Sequence, residues 1–262
     1  MATTMVTAIS NSSVWHSYTE NRSTASSPYG LPIIDSCSAC KLRSGNGFCA
    51  LPPKSLQALN EIKHVSSYPE GALIFMEGQS ARGVYILCQG RVKMMTTHSD
   101  GRTFILKIAE PGDVLGLHSV ISGKPHEVTV ETLQPAQLAF VRRDDFLRFI
   151  HDHATACLHA AEHLSRDCEA AYDVIRSIGL SHSASEKLAR LLLQWADNGV
   201  VASGTIRIKL ALTHEEIAQL IGCSRETVTR TLAEFKQKRV LELAGSTLVV
   251  RNKPALEQLA AR

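Results

Sequence analysis

The stretch THEEIAQLIGCSRETVTRTLAEFKQKR, residues 213–239, predicts two short helices folded about a tight turn. Thr213 and Glu216 have the spacing of a capping box, in which a hydroxyl and a carboxylate bond the backbone N–H groups that open a helix. Gly222 supplies the permissive backbone that ends this helix and turns the chain. Ser224 can then cap the second helix.

The second helix has a basic outer face of short side chains, which is typical of a helix that enters the DNA major groove. An arginine there can bond bidentately to guanine, and a glutamate can accept from a cytosine amino group. On spacing alone, a surface helix stabilised by the pair Glu226 and Arg230 remains the alternative. The residues predicted to contact DNA are Thr213, Ser224, Arg225, Glu226, Thr229 and Arg230.

The segment 221–230, IGCSRETVTR, resembles the recognition segment of the cAMP receptor protein (CRP), and the wider region is similar to the CRP/FNR family of bacterial transcription regulators. The resemblance implies that Arg225, Glu226 and Arg230 read bases in a half-site of the TGTGA type. It also implies double-stranded DNA, a second copy of the chain and RNA polymerase as partners. FNR lacks an arginine at the position of Arg225, so DNA reading here resembles that of CRP.

Composition places few limits on the function. The 262 residues are 44% hydrophobic and 20% charged, which is ordinary for a globular protein with room for two domains. The net charge of +3 is too small to identify a nucleic-acid binder. Neither a transmembrane run nor a signal peptide is visible, so we expect a cytoplasmic protein without a membrane partner. Without a secretory signal, the seven cysteines indicate thiols or metal ligands before disulfides.

The order of the segments predicts an α+β protein with an N-terminal β-roll or jelly-roll barrel, a long dimerisation helix and a C-terminal winged helix-turn-helix. Residues 1–35, rich in Ser, Thr and Asn, are predicted to be a disordered tail. Residues 36–143 are predicted to form a cysteine loop and a β-roll sensor domain, because short apolar runs alternate with glycine turns. The dimerisation helix is placed at 144–180, and the winged helix-turn-helix at 181–262. Strands around 206–210 and 240–250, the latter with a Gly245-Ser246 turn, are predicted to form the wing.

The barrel turns, such as 110–116 (EPGDVLG), resemble those of the cyclic-nucleotide-binding fold. That fold binds cAMP through Gly-Glu-Leu followed, after a spacer, by Arg-Ser or Arg-Thr. Here Gly116-Leu-His118 and His126-Glu127 stand at these positions. Phosphate recognition needs a guanidinium, and a carboxylate would repel the anion, so cAMP is not expected as a ligand.

Residues 144–179 carry an a/d seam over three heptads, which is typical of a two-stranded coiled coil. In the family the equivalent helix joins two subunits and presents two recognition helices about 34 Å apart. A helix packed on its own barrel is the alternative. His159 and His163, four residues apart, are interpreted as surface histidines. The predicted seam residues are Cys157, Ala161, Leu164, Cys168, Ala171, Ile175 and Ile178.

Cys37, Cys40 and Cys49 form a Cys-x2-Cys-x8-Cys array, which supplies three of the four ligands of a closed iron–sulfur or zinc site. Its position resembles the N-terminal cluster of FNR, which holds an oxygen-sensing [4Fe–4S] centre and has a shorter last gap. The fourth cysteine of FNR aligns approximately with Ala139, so Cys88, on a strand that could neighbour 137–141, is the expected substitute. Zinc, a thiol redox switch using Cys37 and Cys40, and an inert loop remain alternatives.

Together these patterns predict a homodimeric transcription regulator in which the state of a cysteine centre alters packing along the helix. An enzyme is not expected, because no nucleophile–base pair is evident and no thioredoxin-like context surrounds the Cys-x2-Cys. A metal- or thiol-dependent oxidoreductase and a ligand-independent DNA-binding protein are the alternatives.

Overall fold

The computed structural model describes residues 27–40, 47–180, 183–197, 200–202, 205–209, 212–244 and 247–261. Its N-terminal part is a double-sheet barrel preceded by a short helix. The elements are α1 (Pro53–Ile62), β1 (Lys63–Tyr68), β2 (Leu73–Phe75), β3 (Gly83–Gln89), β4 (Val92–Thr97), β5 (Thr103–Ala109), β6 (Val114–Leu115), α2 (Leu117–Ser122), β7 (Thr129–Thr132) and β8 (Ala136–Arg142).

The barrel strands pair antiparallel in two four-stranded sheets, with the orders β1-β8-β3-β6 and β2-β7-β4-β5. Side chains alternate between the two faces of each strand, so each sheet turns one apolar face towards the other. The core between the sheets contains Phe75, Leu87, Val92, Leu115, Val130 and Leu138. The predicted barrel is therefore confirmed.

A second apolar cluster covers the outer face of the sheet that contains β3 and β8. It joins Val84 and Ile86 of β3 to Leu56 and Leu59 of α1 and to Phe48, which precedes α1. This packing brings the segment before α1, with its cysteines, against the sheet.

The region predicted as one helix, 144–180, is two helices, α3 (Arg143–Asp152) and α4 (Ala154–Leu180). The break is at His153, whose backbone is extended with φ −123° and ψ 94°. The hydroxyl of Ser55 lies 3.0 Å from Nδ1 of His153, which ties the break to α1. The bend lets α3 pack on the barrel while α4 leads to the C-terminal domain.

The C-terminal domain contains α5 (Ala184–Asp197), β9 (Val200–Ala202), β10 (Thr205–Lys209), α6 (His214–Ile221), α7 (Arg225–Gln237), β11 (Leu241–Ala244), β12 (Thr247–Val250) and α8 (Lys253–Ala260). Its antiparallel sheet has the order β11-β12-β10-β9. The predicted strands of the wing are present, whereas β9 and α8 were not predicted. The predicted Gly245-Ser246 turn lies outside the described residues.

Part of the segment predicted as a disordered tail, residues 27–35, is ordered. Residues 1–26 lie outside the described part, but residues 27–35 are held on the barrel. The backbone N–H of Ile34 donates to Oε1 of Gln137 at 3.1 Å, and Nε2 of Gln89 donates to the carbonyl of Pro32 at 2.6 Å. These bonds use the side chains of buried Gln137 and half-buried Gln89, a partnership that composition does not reveal. No helix in the described part of the chain is both long and apolar enough to span a membrane.

Candidate nucleic-acid interface and cysteine cavity

The caps predicted for the two helices of the helix-turn-helix, α6 and α7, are present; these two helices are called the reader below. Thr213 Oγ1 accepts from the backbone N–H of Glu216, whose carboxylate accepts from the N–H of Thr213 at 2.8 Å. Gly222 ends α6 with φ +63°, a left-handed conformation that favours glycine. Ser224 Oγ accepts from the N–H of Thr227 and opens α7. The turn is therefore fixed by bonds within the sequence 213–227.

The apolar faces of the two helices pack together, and α7 leaves its opposite face exposed. Val228, Leu232 and Phe235 of α7 are buried against Ile217 and Ile221 of α6. The predicted base readers Arg225, Glu226 and Arg230 are exposed. This places two guanidinium groups and one carboxylate on one accessible surface near the start of α7.

Glu226 is held ionised on this surface. Hydrogen bonds from its own backbone N–H and from Ser224 lower the pKa of its carboxyl group. An ionised carboxylate accepts hydrogen bonds only, so it suits a cytosine amino group and opposes phosphate.

Three of the predicted DNA-binding residues have hydroxyls that are already bonded within the domain. Thr213 and Ser224 act as caps. Thr229 Oγ1 donates to the carbonyl of Arg225 at 3.0 Å and lies 2.9 Å from Nδ1 of His214. Since its one proton goes to the carbonyl, His214 is the donor in the second bond. Thr229 thus ties α6 to α7.

The reader also contacts the barrel. Nζ of Lys93 on β4 lies 2.9 Å from Oε1 of Glu131 and 3.8 Å from Oε1 of Glu216, the capping residue of α6. The ring of Phe104 on β5 lies 3.4 Å from where a Cβ would stand at Gly222. The barrel sheet therefore touches both the start and the end of α6.

The long helix α4 has two apolar faces that are displaced by one residue. Ala156, Ala160 and His163 are buried against the barrel side. The predicted seam, one residue further along, is largely exposed: Cys157 and Cys168 are exposed, and Ile175 is 63% exposed. The predicted seam residues Ala161 and Ala171 are exposed and Leu164 is half-buried, while the side chain of Ile178 lies outside the described set.

His163 is buried, so its interpretation as a surface histidine was wrong. Its Nε2 accepts from the backbone N–H of Val114 at 2.9 Å, and its Nδ1 lies 3.1 Å from Oδ2 of Asp167. Nε2 is also 3.5 Å from Oδ1 of Asp113. Lys107 bonds both carboxylates, at 3.3 Å to Asp113 and 2.9 Å to Asp167. This network joins the barrel to α4.

The network shifts the pKa values of His163 and Asp113. Burial alone would lower the pKa of His163, but hydrogen bonds to Asp113 and Asp167 outweigh it, so the pKa is raised. Burial would raise the pKa of Asp113, but the bonds to His163 and Lys107 lower it to about 2.

The four cysteines predicted as ligands line one small cavity that is partly open to solvent. Cys88 lies where the register of β3 against β8 shifts, between Leu87 and Gln89, so the predicted neighbouring of these strands is confirmed. Ala139 on β8 also lines the cavity. The remaining lining residues are Ile34, Cys37, Cys40, Phe48, Cys49, Leu59, Lys63 and Ile86.

The cavity is apolar apart from its sulfur atoms and one cation. Burial raises the pKa of the Cys49 thiol to about 11 and that of the Cys88 thiol to about 12, and the charge of Lys63 opposes both shifts. Nζ of Lys63 donates a hydrogen bond of 3.0 Å to Sγ of Cys37. Nothing in the sequence around Lys63 marked this residue as part of the site.

The donor set fits a thiolate-bound metal, since four sulfurs around one small cavity match the ligand count of zinc and of iron–sulfur clusters. As positioned, no three His, Cys, Asp or Glu side chains among the described residues are close enough to hold a metal ion. The segment 41–46, between Cys40 and Cys49, lies outside the described residues.

The positions that would bind a cyclic phosphate are filled by other groups. His126 is 4% exposed, stacks on Phe75 with ring centroids 3.8 Å apart, and lies 2.9 Å from where a Cβ would stand at Gly116. Burial lowers its pKa, so the imidazole is neutral at pH 7. Oε2 of Glu127 lies 3.2 Å from Nδ1 of His118. This arrangement offers a phosphate a carboxylate and a neutral ring.

Comparison with protein families identifies two domains. Residues 65–153 match the family described as "Cyclic nucleotide-binding domain", and residues 186–259 match the "Crp-like helix-turn-helix domain". The two matches cover the barrel with α3 and the reader with its flanking elements.

Three similar known proteins match about three quarters or more of this chain. The chain is 29% identical over 216 residues to the "CRP-like cAMP-activated global transcriptional regulator" of Mycobacterium tuberculosis, covering 82% of this chain and 95% of the other. It is 28% identical to the "Transcriptional activatory protein AadR" of Rhodopseudomonas palustris, covering 76% and 82%. The structure of FixK2 from Bradyrhizobium japonicum superposes with a TM-score of 0.68 at 26% identity, covering 77% and 98%.

Proposed function

The chain belongs to the CRP/FNR family of transcription regulators, and we propose that it binds a palindromic DNA site with TGTGA-like half-sites as a homodimer. The observation that carries this proposal is the exposed set Arg225, Glu226 and Arg230 at the start of α7. Two arginines with one ionised glutamate between them match guanine acceptors and a cytosine donor, whereas a surface that binds phosphate alone gains nothing from the glutamate.

A second copy of the chain is the proposed occupant of the exposed seam of α4. The barrel covers the neighbouring face through Ala156, Ala160 and His163, so a helix packed only on its own barrel leaves the seam unused. Ile175 of the seam exposes 63% of its surface, and Leu158 and Tyr172, each one residue beyond a seam position, expose 57% and 55% on this 27-residue helix. Exposed apolar positions at heptad spacing favour pairing with an identical helix.

The cysteine cavity is the proposed sensor. Cys37, Cys40, Cys49 and Cys88 are the residues that would hold an iron–sulfur cluster, or zinc, and the group would supply sensitivity to oxidants or to metal supply. The cavity shares Phe48, Leu59 and Ile86 with the apolar cluster that also contains Ala156 and Ala160 of α4. A change at the cysteines would therefore alter packing against the dimer helix and bias the spacing of the two readers.

Cyclic AMP is not the proposed signal, although the relative from M. tuberculosis carries "cAMP-activated" in its name. A neutral His126 and the pair of Glu127 with His118 occupy the places where a phosphate needs a guanidinium. An enzymatic activity is not proposed either. The proposed role on DNA implies RNA polymerase as a partner and a cytoplasmic location.

The test is a footprint with protein in which the cysteine centre has been assembled anaerobically, stripped with a chelator, or oxidised. We expect protection of two TGTGA-like half-sites and an affinity that differs between these states. Equal affinity in all three would leave a ligand-independent DNA-binding protein. Absence of any protected site, together with thiol- or metal-dependent turnover, would favour an oxidoreductase.

A further inference from the structure

Lys63 is a buried cation whose charge is not balanced by its described neighbours. It opens β1, is only 9% exposed, and faces the cavity lined by the four cysteines. An ammonium taken out of water needs an opposite charge, or several hydrogen-bond acceptors, to offset its lost hydration. Its one hydrogen-bond partner in the described chain is Sγ of Cys37, at 3.0 Å.

No carboxylate in the described ranges forms an ion pair with Lys63, although the chain contains 25 Asp and Glu. The opposite strand places Val141 beside it, and the cavity wall is formed by Ile34, Leu59, Ile86 and other apolar side chains. Among the described residues that line the cavity, the groups that can become anionic are the thiols. The cavity is therefore built around one cation and four potential thiolates.

Metal binding would supply the missing negative charge. A metal replaces the thiol protons, which pass to solvent, and the ligands remain as thiolates. Four thiolates with Zn²⁺ or with a [4Fe–4S]²⁺ core carry a net charge of about −2. A disulfide is neutral and would leave the ammonium without an opposite charge. Lys63 thus favours the metal-bound state over the oxidised state.

We propose that Lys63 is the counter-cation of an anionic metal–thiolate centre held by Cys37, Cys40, Cys49 and Cys88. It is a positioning residue, since it acts on the ligands through its charge and its bond to Cys37. This proposal rests on the cysteine sensor of the proposed function and adds the residue that sets the charge of its site.

The test compares Lys63→Met, Lys63→Arg and a matched control, Lys54→Met, which removes an exposed lysine of α1. Each full-length protein is prepared anaerobically without metal, and Zn²⁺ affinity is measured against a competing chelator. A parallel sample receives Fe²⁺ and sulfide, and bound iron and sulfide are assayed. We expect Lys63→Met to weaken Zn²⁺ binding about tenfold or more, while Lys63→Arg and Lys54→Met stay close to the parent.

The melting temperature of the metal-free protein separates a counter-charge from a structural support. Removing a buried charge that lacks an anion leaves the metal-free protein as stable or more stable, so Lys63→Met should lower only the stabilisation that metal adds. If Zn²⁺ affinity is the same in Lys63→Met and Lys54→Met, the proposal is wrong. It is equally wrong if metal-free stability and affinity fall together and arginine restores neither.

A parent protein that binds neither Zn²⁺ nor iron and sulfide overturns both the cysteine sensor and the role of Lys63. The DNA-binding part of the proposed function is tested separately by the footprint. Retained metal binding with an unaffected Lys63→Met variant overturns the role of Lys63 alone.

Discussion

The backbone N–H of Val114 donates to Nε2 of His163 at 2.9 Å, across 49 residues of sequence. Val114 opens β6 in the barrel, and His163 lies on the buried face of α4. Asp113 and Asp167 flank the imidazole, and Lys107 bonds both carboxylates. These bonds form a polar connection between the barrel and the long helix.

His163→Ala should lower the free energy of unfolding by about 1–3 kcal/mol, because it leaves the buried N–H of Val114 without its acceptor and removes a partner of two carboxylates. Urea unfolding at neutral pH measures the change. His151→Ala, at an exposed histidine of α3, serves as the control and should have little effect. Equal effects of the two substitutions would contradict a structural role for the network.

The contribution of His163 should depend on pH. The neutral ring accepts from Val114, whereas the protonated ring loses that bond and turns the N–H of Nε2 towards Asp113. The carboxylates of Asp113 and Asp167 raise the folded-state pKa above the ordinary 6.5, so the folded protein binds the proton more tightly than the unfolded chain. The resulting stability is fully present below about pH 6.5 and is lost as the pH rises through the folded-state value. Asp113, with its pKa lowered to about 2, stays ionised throughout.

The measurement for this pH dependence is the difference in unfolding free energy between the parent and His163→Gln, which does not titrate, from about pH 5.5 to about pH 8.5. The difference should shrink towards the alkaline end. A difference that grows with pH would show that the neutral imidazole is the favoured form in the folded protein.

Arg225→Ala should cost about 1–3 kcal/mol of DNA binding and relax the preference at one base position. Titration of duplexes that each carry a single base-pair change measures this. Lys236→Ala, at an exposed lysine in the last turn of α7, is the control and should leave base preference unchanged. If Arg225→Ala weakened binding to all duplexes by the same factor, Arg225 would contact phosphates and not bases.

Ile175→Glu should convert the proposed dimer to a monomer, because a carboxylate at an a/d position cannot be buried against its copy without a partner. Sedimentation at several concentrations reports the assembly state. Asp173→Lys changes the charge on the outer side of the same helix, where Asp173 pairs with Arg176, and should leave the dimer intact. A parent chain that sediments as a monomer would remove the seam from the interface.

Cys88→Ala should abolish assembly of the proposed metal centre, and adding Ala139→Cys should restore it. Ala139 pairs with Ile86 across β8 and β3 and lines the same cavity as Cys88, so a thiol there enters the cavity from the adjacent strand. Iron, sulfide and zinc assays after anaerobic reconstitution measure assembly. Cys157→Ser, on the exposed seam, is the matched control, and loss of metal in this variant would point to a different ligand set.

The reader could be predicted from sequence because its structure depends on local bonds. The capping box of Thr213 and Glu216, the left-handed Gly222 and the cap at Ser224 all join residues at most four apart. Short-range hydrogen bonds and helical periodicity leave a signature in the order of residues. The same holds for the glycine-spaced barrel strands and the heptad spacing of α4.

Which side chains contact each other across distant segments could be learned only from the tertiary structure. Heptad spacing identified the seam at Cys157, but the parallel face one residue earlier, at Ala156 and His163, has the same period, and only packing decides which face meets the barrel. Lys63 reaches Cys37 across 26 residues, and Cys88 joins the three N-terminal cysteines through the pairing of β3 with β8. The sequence by itself therefore determined the helices and strands and the exposed side chains on them. The surroundings of the buried charged groups were set by contacts between distant segments, which no local pattern encodes.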